Sequence, residues 1–352
     1  MRSGYFTFLF AFIVILILSA CPDVKMKDNK QYDFEDGNGF FITNEGVFQQ
    51  ANASVFYYDR GQDSLYENIY ETVNNEKIGD ILQSMYFFNN NAYLVVNNSA
   101  WIDIVSVENF EKKGEIRGFI SPRYFYPVDR DKAYVTDLYS GYIYVVDLNQ
   151  NKVSKDIYTG KWTEEMAFLN KKLYVTCPWV YSKPVSRKVL VINTDSDEIV
   201  DSISTGVNPS AIGFDKNGFL WTLNNGNKIN NIPGSIYKID VSINSTVDSF
   251  IFENTLNIFN SSLRFNENKD SIFVLYNDVY TFSVEGNIVP EKIISQNERN
   301  IYGMDLDNQK QHIFLTDVLN FAEKGKVYIY TKKGDLLKTL NTGYLPNSVV
   351  VY

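Results

Sequence analysis

The chain has 352 residues, of which 42 are Asp or Glu and 33 are Lys or Arg, so its formal net charge is −9. This acidic balance argues against a nucleic-acid partner, because phosphates are bound by basic surfaces. One His and two Cys are too few for a usual zinc site, and we expect neither a metal site nor an intrachain disulfide.

The first twenty residues have the pattern of a secretory signal. Arg2 precedes an apolar run that ends at Leu18, and two small residues then precede Cys21. A basic start, an apolar run and small residues before a cleavage site are typical of signal peptides. The ending of this run resembles a bacterial lipobox, in which the cysteine is lipidated. We therefore predict a signal peptide over residues 1–20 and a lipid on Cys21.

The next segment is polar and rich in acidic residues. Such a composition favours a flexible linker over a packed element. We predict that residues 21–38 comprise the lipidated cysteine and a tether. Acidic residues soon after the lipidated cysteine also resemble the surface-export signals of some Gram-negative lipoproteins. The predicted location is therefore the outer membrane, with a lipid anchor and the protein at the cell surface.

A short β-branched and aromatic segment that ends in a polar residue recurs seven times after the tether. Its closing residues are Asp59, Ser106, Asp147, Asn193, Asp240, Ser283 and Thr331. Each copy follows a second strand-like segment and precedes a more polar one, as expected for an exposed edge strand. The spacing of about 45 residues is typical of a four-stranded propeller blade. We predict an all-β, seven-bladed β-propeller over residues 39–352.

The two ends of this domain predict how the ring closes. Gly39 opens directly on the second strand of blade 1, so that blade lacks an inner strand at its amino end. Residues 346–352 supply the missing strand, and the pairing removes two exposed edges. Residues 163–169 fit the repeat as an inner strand better than as a helical turn. A β-solenoid is the alternative fold, but its rungs are shorter than this period.

The predicted functional face is the mouth of the ring, formed by the loops between second and third strands and by the loops between blades. Long loops on a rigid scaffold usually carry function. Amides supply paired donors and acceptors, and aromatic rings supply contact area for a large, partly flat ligand. The candidate ligand-binding residues are Asn44, Glu45, Gln83, Ser84, Asn97, Asn98, Arg123, Tyr124, Asp137, Tyr139, Trp162, Glu164, Trp179, Tyr181, Asn224, Asn225, Tyr276, Asp317 and Tyr344.

Enzyme chemistry is the alternative class. Asp137, Glu164, Asp278 and Asp317 could form a carboxylate pair for hydrolysis or a lyase reaction, or could hold a metal. The ligand spacing of a calcium loop, the nucleophile elbow and the phosphate-binding glycine loop do not occur. His312 falls in a predicted strand. We predict no catalytic residues and no enzyme activity, and a protein- or glycan-binding scaffold is the third alternative.

Five short segments together resemble a known group of proteins. They are residues 42–46, 78–85, 95–99, 121–124 and 133–139. They are similar to YncE-like seven-bladed propeller lipoproteins encoded beside TonB-dependent outer-membrane receptors, and the resemblance runs from about Gly39 to the carboxyl end. It implies a non-enzymatic lipoprotein that binds a nutrient and passes it to such a receptor, without a cofactor. Some members of the group bind corrinoids such as cobalamin.

Overall fold

The computed structural model of the protein describes Phe34 and residues 37–178, 185–256 and 261–352. Within these ranges the chain forms seven antiparallel sheets of four strands each. We call these sheets blades 1 to 7, in chain order. The architecture is the seven-bladed β-propeller that the repeat predicts, so the predicted fold class is confirmed.

The first fifteen strands belong to the first four blades, and the last strand completes blade 1. Blade 1 contains β1 (Gly39–Asn44), β2 (Ser54–Asp59) and β3 (Ser64–Tyr66), and α1 (Ile69–Asn74) follows it. Blade 2 contains β4 (Leu82–Phe88), β5 (Asn91–Val96), β6 (Trp101–Ser106) and β7 (Lys112–Arg117). Blade 3 contains β8 (Pro122–Pro127), β9 (Lys132–Asp137), β10 (Tyr142–Asp147) and β11 (Lys152–Tyr158). Blade 4 contains β12 (Met166–Leu169), β13 (Lys172–Cys177), β14 (Lys188–Asn193) and β15 (Glu198–Ser204).

The remaining strands complete the ring. Blade 5 contains β16 (Pro209–Phe214), β17 (Leu220–Asn224), β18 (Ser235–Asp240) and β19 (Ser245–Ile251). Blade 6 contains β20 (Ser262–Phe265), β21 (Ser271–Tyr276), β22 (Asp278–Ser283) and β23 (Glu291–Ile294). Blade 7 contains β24 (Ile301–Asp307), β25 (His312–Asp317), β26 (Lys324–Thr331) and β27 (Leu336–Tyr344). The last strand is β28 (Pro346–Val350).

Ring closure occurs as the sequence predicts. Strand β28 pairs antiparallel with β1, and Val349 lies opposite Ile42. Val349 is buried in a cluster that also contains Phe40, Ile42 and Phe314, and so joins blade 1 to blade 7. The carboxyl-terminal strand therefore supplies the inner strand that the amino end of blade 1 lacks.

The hydrophobic core lies between neighbouring blades. One cluster joins Trp221 of blade 5 to Val274 of blade 6, and equivalent clusters join other adjacent pairs. Second strands such as β5 are buried along nearly their whole length, whereas outermost strands such as β15 are mostly exposed. This gradient explains the sequence pattern, because a strand covered on both faces is apolar throughout and an edge strand is not.

Two local features differ from the sequence-based expectations. The helix α1 was not predicted, because six residues are too few for a helical period to show. Its Tyr70 is buried and its hydroxyl donates to Asp103 at 2.9 Å.

Phe34 falls inside the predicted tether but is buried, with ring contacts to Phe41, Tyr57 and Phe110. The chain is thus already packed on the propeller at residue 34.

The predicted lipidation site Cys21 and the signal peptide lie outside the described residues, so both stay predictions. In the part of the chain that the structure describes, no helix has the length and apolar character needed to cross a membrane.

Candidate functional site

The inner strands of the seven blades surround a cavity of about 1060 Å³. All seven inner strands, β4, β8, β12, β16, β20, β24 and β28, contribute residues to its wall. The cavity also reaches the mouth loops, where Leu138, Pro178 and Lys228 line it. Its volume is at the upper end of the range usual for small-molecule sites, so it can hold a large organic ligand.

Eight of the predicted ligand-binding residues lie on the cavity wall. They are Glu45, Gln83, Ser84, Arg123, Tyr124, Trp162, Glu164 and Asn225. Trp179 and Tyr181 lie outside the described residues. The structure thus brings together predicted residues that are spread over about 180 positions of the chain, while their binding of a ligand stays a prediction.

The other predicted amides and Tyr276 make hydrogen bonds to neighbouring residues of the mouth. Asn44 accepts a hydrogen bond from the Gly343 amide at 3.0 Å, and Asn224 donates to the Ser235 carbonyl at 3.1 Å. Asn97 donates to Ser121 and Pro122, and Asn98 donates to Asp80. The Tyr276 hydroxyl accepts from the Gly234 amide and donates to the Asn254 carbonyl. These side chains hold loops in place, as polar groups at strand ends commonly do.

Two predicted acids occupy equivalent places in their blades. Asp137 ends β9 and Asp317 ends β25. Oδ1 of Asp137 accepts from the Tyr139 and Ser140 amides at 3.0 and 2.9 Å. Oδ1 of Asp317 accepts from the Leu319 amide at 2.9 Å. Both carboxylates therefore fix the loop that follows the strand. Tyr139 is exposed on its loop, and Tyr344 is half-buried at the end of β27.

One part of the cavity wall carries one guanidinium group and two carboxyl groups. Nε of Arg123 lies 3.0 Å from both carboxylate oxygens of Glu164, and Nη1 donates to Gln83. Glu45 is buried, and its oxygens accept from the Tyr302 hydroxyl and from the Asn347 amide at 3.3 Å. Burial raises the pKa of Glu45 from 4.5 to about 7, although the positive charge of Arg123 opposes this shift.

A second charged cluster is centred on Arg264 of β20. Its Nε lies 2.9 Å from Asp305, and its Nη1 lies 3.4 Å from Glu165. The other oxygen of Asp305 accepts from the Ser348 hydroxyl and the Val349 amide, so it also fixes β28. Burial raises the pKa of Glu165, and Arg264 opposes the shift. Arg123, Arg264 and Lys228 face four acids across the wall, and burial raises the pKa of two of these acids, so the wall carries little net charge near neutral pH.

Sequence reasoning missed the wall residues Tyr302, Arg264, Asp305 and Glu165. All four lie on or beside inner strands instead of in loops. Polar side chains inside otherwise apolar segments were the available signal, because the inner strand of a propeller exposes one face to the channel. That signal is present at Arg264 and Asp305, since each of these charged residues stands between two apolar residues.

Two observations on the described residues concern metal and thiol groups. No group of three or more His, Cys, Asp or Glu side chains is placed there to hold a metal ion. Burial raises the pKa of the Cys177 thiol to about 12, so the thiolate that a nucleophile needs does not form near neutral pH. His312 begins β25 and is not on the cavity wall.

Several solved structures share this fold. A quinoprotein alcohol dehydrogenase-like protein from Bacteroides thetaiotaomicron is 15% identical, with 91% of this chain and 79% of that chain covered and a TM-score of 0.71. Hydrazine synthase from Kuenenia stuttgartiensis is 18% identical, with 74% and 85% covered and a TM-score of 0.60. The computationally designed protein Ika8 is 10% identical, with 89% and 90% covered and a TM-score of 0.57. At these identities the similarity shows the fold alone.

No curated protein matches the chain significantly. A family model described as a domain of unknown function, DUF5074, matches residues 38–352, which is nearly the whole propeller. The chain therefore belongs to the DUF5074 family.

Proposed function

We propose that this protein is a non-enzymatic surface lipoprotein that captures a nutrient molecule in the mouth of its propeller. The observation that carries the proposal is the cavity of about 1060 Å³, whose wall combines aromatic rings, amides and paired charges. Such walls are typical of sites in which apolar area provides affinity and a few polar groups fix orientation. Trp162, Tyr302 and Asn225 represent the aromatic and amide components.

The ligand that we propose is a corrinoid such as cobalamin. This choice rests on the similarity to YncE-like propeller lipoproteins, some of which bind corrinoids. It also agrees with the site, because a corrinoid is a large flat macrocycle with an amide fringe, and its amides can accept from the side-chain amino groups of Asn225 and Gln83 on the cavity wall.

The proposed partner is a TonB-dependent outer-membrane receptor, and the proposed anchor is a lipid on Cys21. Both come from the sequence: the lipobox-like ending of the signal and the resemblance of the first blades to lipoproteins encoded beside such receptors. A lipid anchor followed by a tether would hold the propeller close to a membrane receptor, which raises its effective concentration there.

Calorimetry with cobalamin and cobinamide tests this proposal on the full-length protein in detergent. We expect submicromolar binding to the unaltered protein. Trp162→Ala should weaken binding about tenfold, because it removes one aromatic wall of the cavity. Tyr158→Ala is the matched control, since Tyr158 is 69% exposed on the outermost strand of blade 3. No heat at high ligand concentration would exclude the corrinoid.

One observation favours a second candidate function. A carboxyl group with a pKa of about 7 in a cavity can act as a general acid or base near neutral pH. Glu45 would then make the protein a carboxylate-dependent hydrolase or lyase. If so, chromogenic glycosides or uronate-containing polysaccharides should be cleaved, and Glu45→Gln should lower the rate at least about a hundredfold. Equal background rates for the two proteins would exclude this role for Glu45.

A further inference from the structure

Two pairs of aromatic rings flank the mouth of the cavity. The first pair is Tyr139 and Trp162, whose ring centroids are 5.6 Å apart with the rings at 78°. Trp162 lies between β11 and β12 and lines the cavity, whereas Tyr139 stands on the loop after β9 and is 64% exposed. An exposed Tyr on a loop tip is therefore held in edge-to-face contact with a ring of the cavity wall.

The second pair repeats this arrangement in blade 7. Tyr302 of β24 lines the cavity, and Phe321 stands on the loop after β25 and is 47% exposed. Their centroids are 6.2 Å apart and the rings meet at 89°. The Tyr302 hydroxyl donates to Glu45, which fixes the ring against the wall. Each pair thus joins one wall ring to one exposed loop ring.

The two pairs lie on opposite sides of the cavity. The first stands at the boundary between blades 3 and 4, and the second stands in blade 7. In a ring of seven blades, these positions are half a turn apart. Equivalent acids support both loops, because Asp137 accepts from the Tyr139 amide and Asp317 accepts from the Leu319 amide, two residues before Phe321. The exposed rings are therefore carried on loops with fixed backbones.

The backbone at Phe321 has a conformation that is unfavourable for a bulky side chain. Its φ is 64° and that of Leu319 is 53°, in the left-handed region that bulky side chains seldom adopt. Glycine would relieve this strain, which amounts to about 1 kcal/mol per residue. Many other turn residues of the described chain share this φ region, so what distinguishes Phe321 is its large apolar side chain, which is left half-exposed and contributes little to folding.

We propose that Tyr139, Trp162, Tyr302 and Phe321 form an aromatic clamp that binds a flat, conjugated ring system across the mouth. The inference rests on the proposed capture of a ligand and goes further, because it names the part of the ligand that is recognised. Ring faces and edges from two opposite sides suit a planar molecule, which makes offset-stacked and edge-to-face contacts with them. A flexible or strongly puckered ligand of equal size would meet these rings poorly.

The polar groups near the clamp indicate which chemical groups the edge of such a ligand carries. The Arg123–Glu164 pair lies on the same side as Trp162, Asn347 and Glu45 lie beside Tyr302, and Asn225 follows β17 of blade 5. These groups supply hydrogen-bond donors and acceptors on both sides of the cavity. The ligand class is therefore a planar conjugated ring system fringed with polar groups such as amides or hydroxyls.

The test compares flat and non-flat probes on the full-length protein in detergent. Dicyanocobinamide, riboflavin and protoporphyrin are the flat probes, and maltoheptaose is the non-flat probe. Affinities are measured by calorimetry for the unaltered protein, Tyr139→Ala, Phe321→Ala, the double variant and the control Tyr158→Ala. Each single clamp variant should weaken the bound flat probe about tenfold, and the double variant about a hundredfold, because the two rings act on opposite sides. The control should bind as the unaltered protein does.

The outcomes separate the clamp from the proposed corrinoid. If dicyanocobinamide does not bind, but riboflavin or protoporphyrin binds and the clamp variants weaken that binding, the corrinoid is excluded as the ligand and the clamp is supported. If dicyanocobinamide binds equally to the unaltered protein and the double variant, the corrinoid stands and the clamp is overturned. The clamp is also overturned if no flat probe binds at millimolar concentration, or if maltoheptaose binding alone depends on Tyr139 and Phe321.

Discussion

Val349→Asp should lower the free energy of unfolding by about 3–5 kcal/mol, a large part of the about 5–15 kcal/mol that is typical of a folded domain. Val349 is 3% exposed and packs among Phe40, Ile42 and Phe314 at the junction of blades 1 and 7. A carboxylate there would be buried without a cationic partner. It would also lie close to Asp305, which accepts the backbone amide of residue 349 at 2.8 Å and adds a like charge.

The matched control is Val247→Asp on β19. Val247 is 49% exposed on the outermost strand of blade 5, so a carboxylate there stays in water. Its effect should stay within about 0.5 kcal/mol. Urea unfolding followed by circular dichroism measures both variants, and the midpoint should fall only for Val349→Asp. Equal midpoints for the two variants would mean that the closing strand contributes little to the stability of the ring.

The fold could be predicted because the sequence repeats. Seven copies of a strand of one type, each ending in a polar residue such as Asp147 or Asp240, gave the number of blades. The absence of an inner strand before Gly39 predicted that the last strand completes blade 1, and the pairing of Ile42 with Val349 confirms this prediction. The helix at Ile69–Asn74 left no such signal, since it occurs once and spans less than two turns.

The site could be predicted only in part, because the same residue type serves two purposes at a strand end. Asn44 is the last residue of the second strand β1 and Asn225 directly follows the second strand β17, yet Asn44 holds the backbone of Gly343 while Asn225 lines the cavity. A single sequence does not distinguish an amide that fixes a loop from one that meets a ligand. Arg264 and Asp305 were missed for a different reason: which face of an inner strand meets the channel depends on the strand's rotation in its blade.

The stability of the protein should fall as the pH rises from about 4.5 to about 7, and Glu45 should account for part of the fall. In the unfolded chain a glutamate ionises near pH 4.5, whereas burial raises the pKa of Glu45 in the folded state to about 7. Between these values the folded state binds more protons than the unfolded state, so the free energy of unfolding decreases with pH. Above pH 7 the folded protein holds an ionised buried carboxylate, and the full cost is about 3 kcal/mol.

Glu45→Gln isolates this contribution, because Gln cannot ionise and its Oε1 can still accept from Tyr302 and Asn347. Relative to the unaltered protein, the variant should gain about 3 kcal/mol in the free energy of unfolding between pH 4 and pH 8. Glu298→Gln, at an exposed position, is the control and should show no such gain. Burial also raises the pKa of Glu165. Because Glu165 is present in the unaltered protein and in both variants, its effect cancels when their free energies of unfolding are subtracted. A constant difference between Glu45→Gln and the unaltered protein at every pH would mean that Glu45 ionises in the fold as it does in water, through hydration of the cavity or through Arg123.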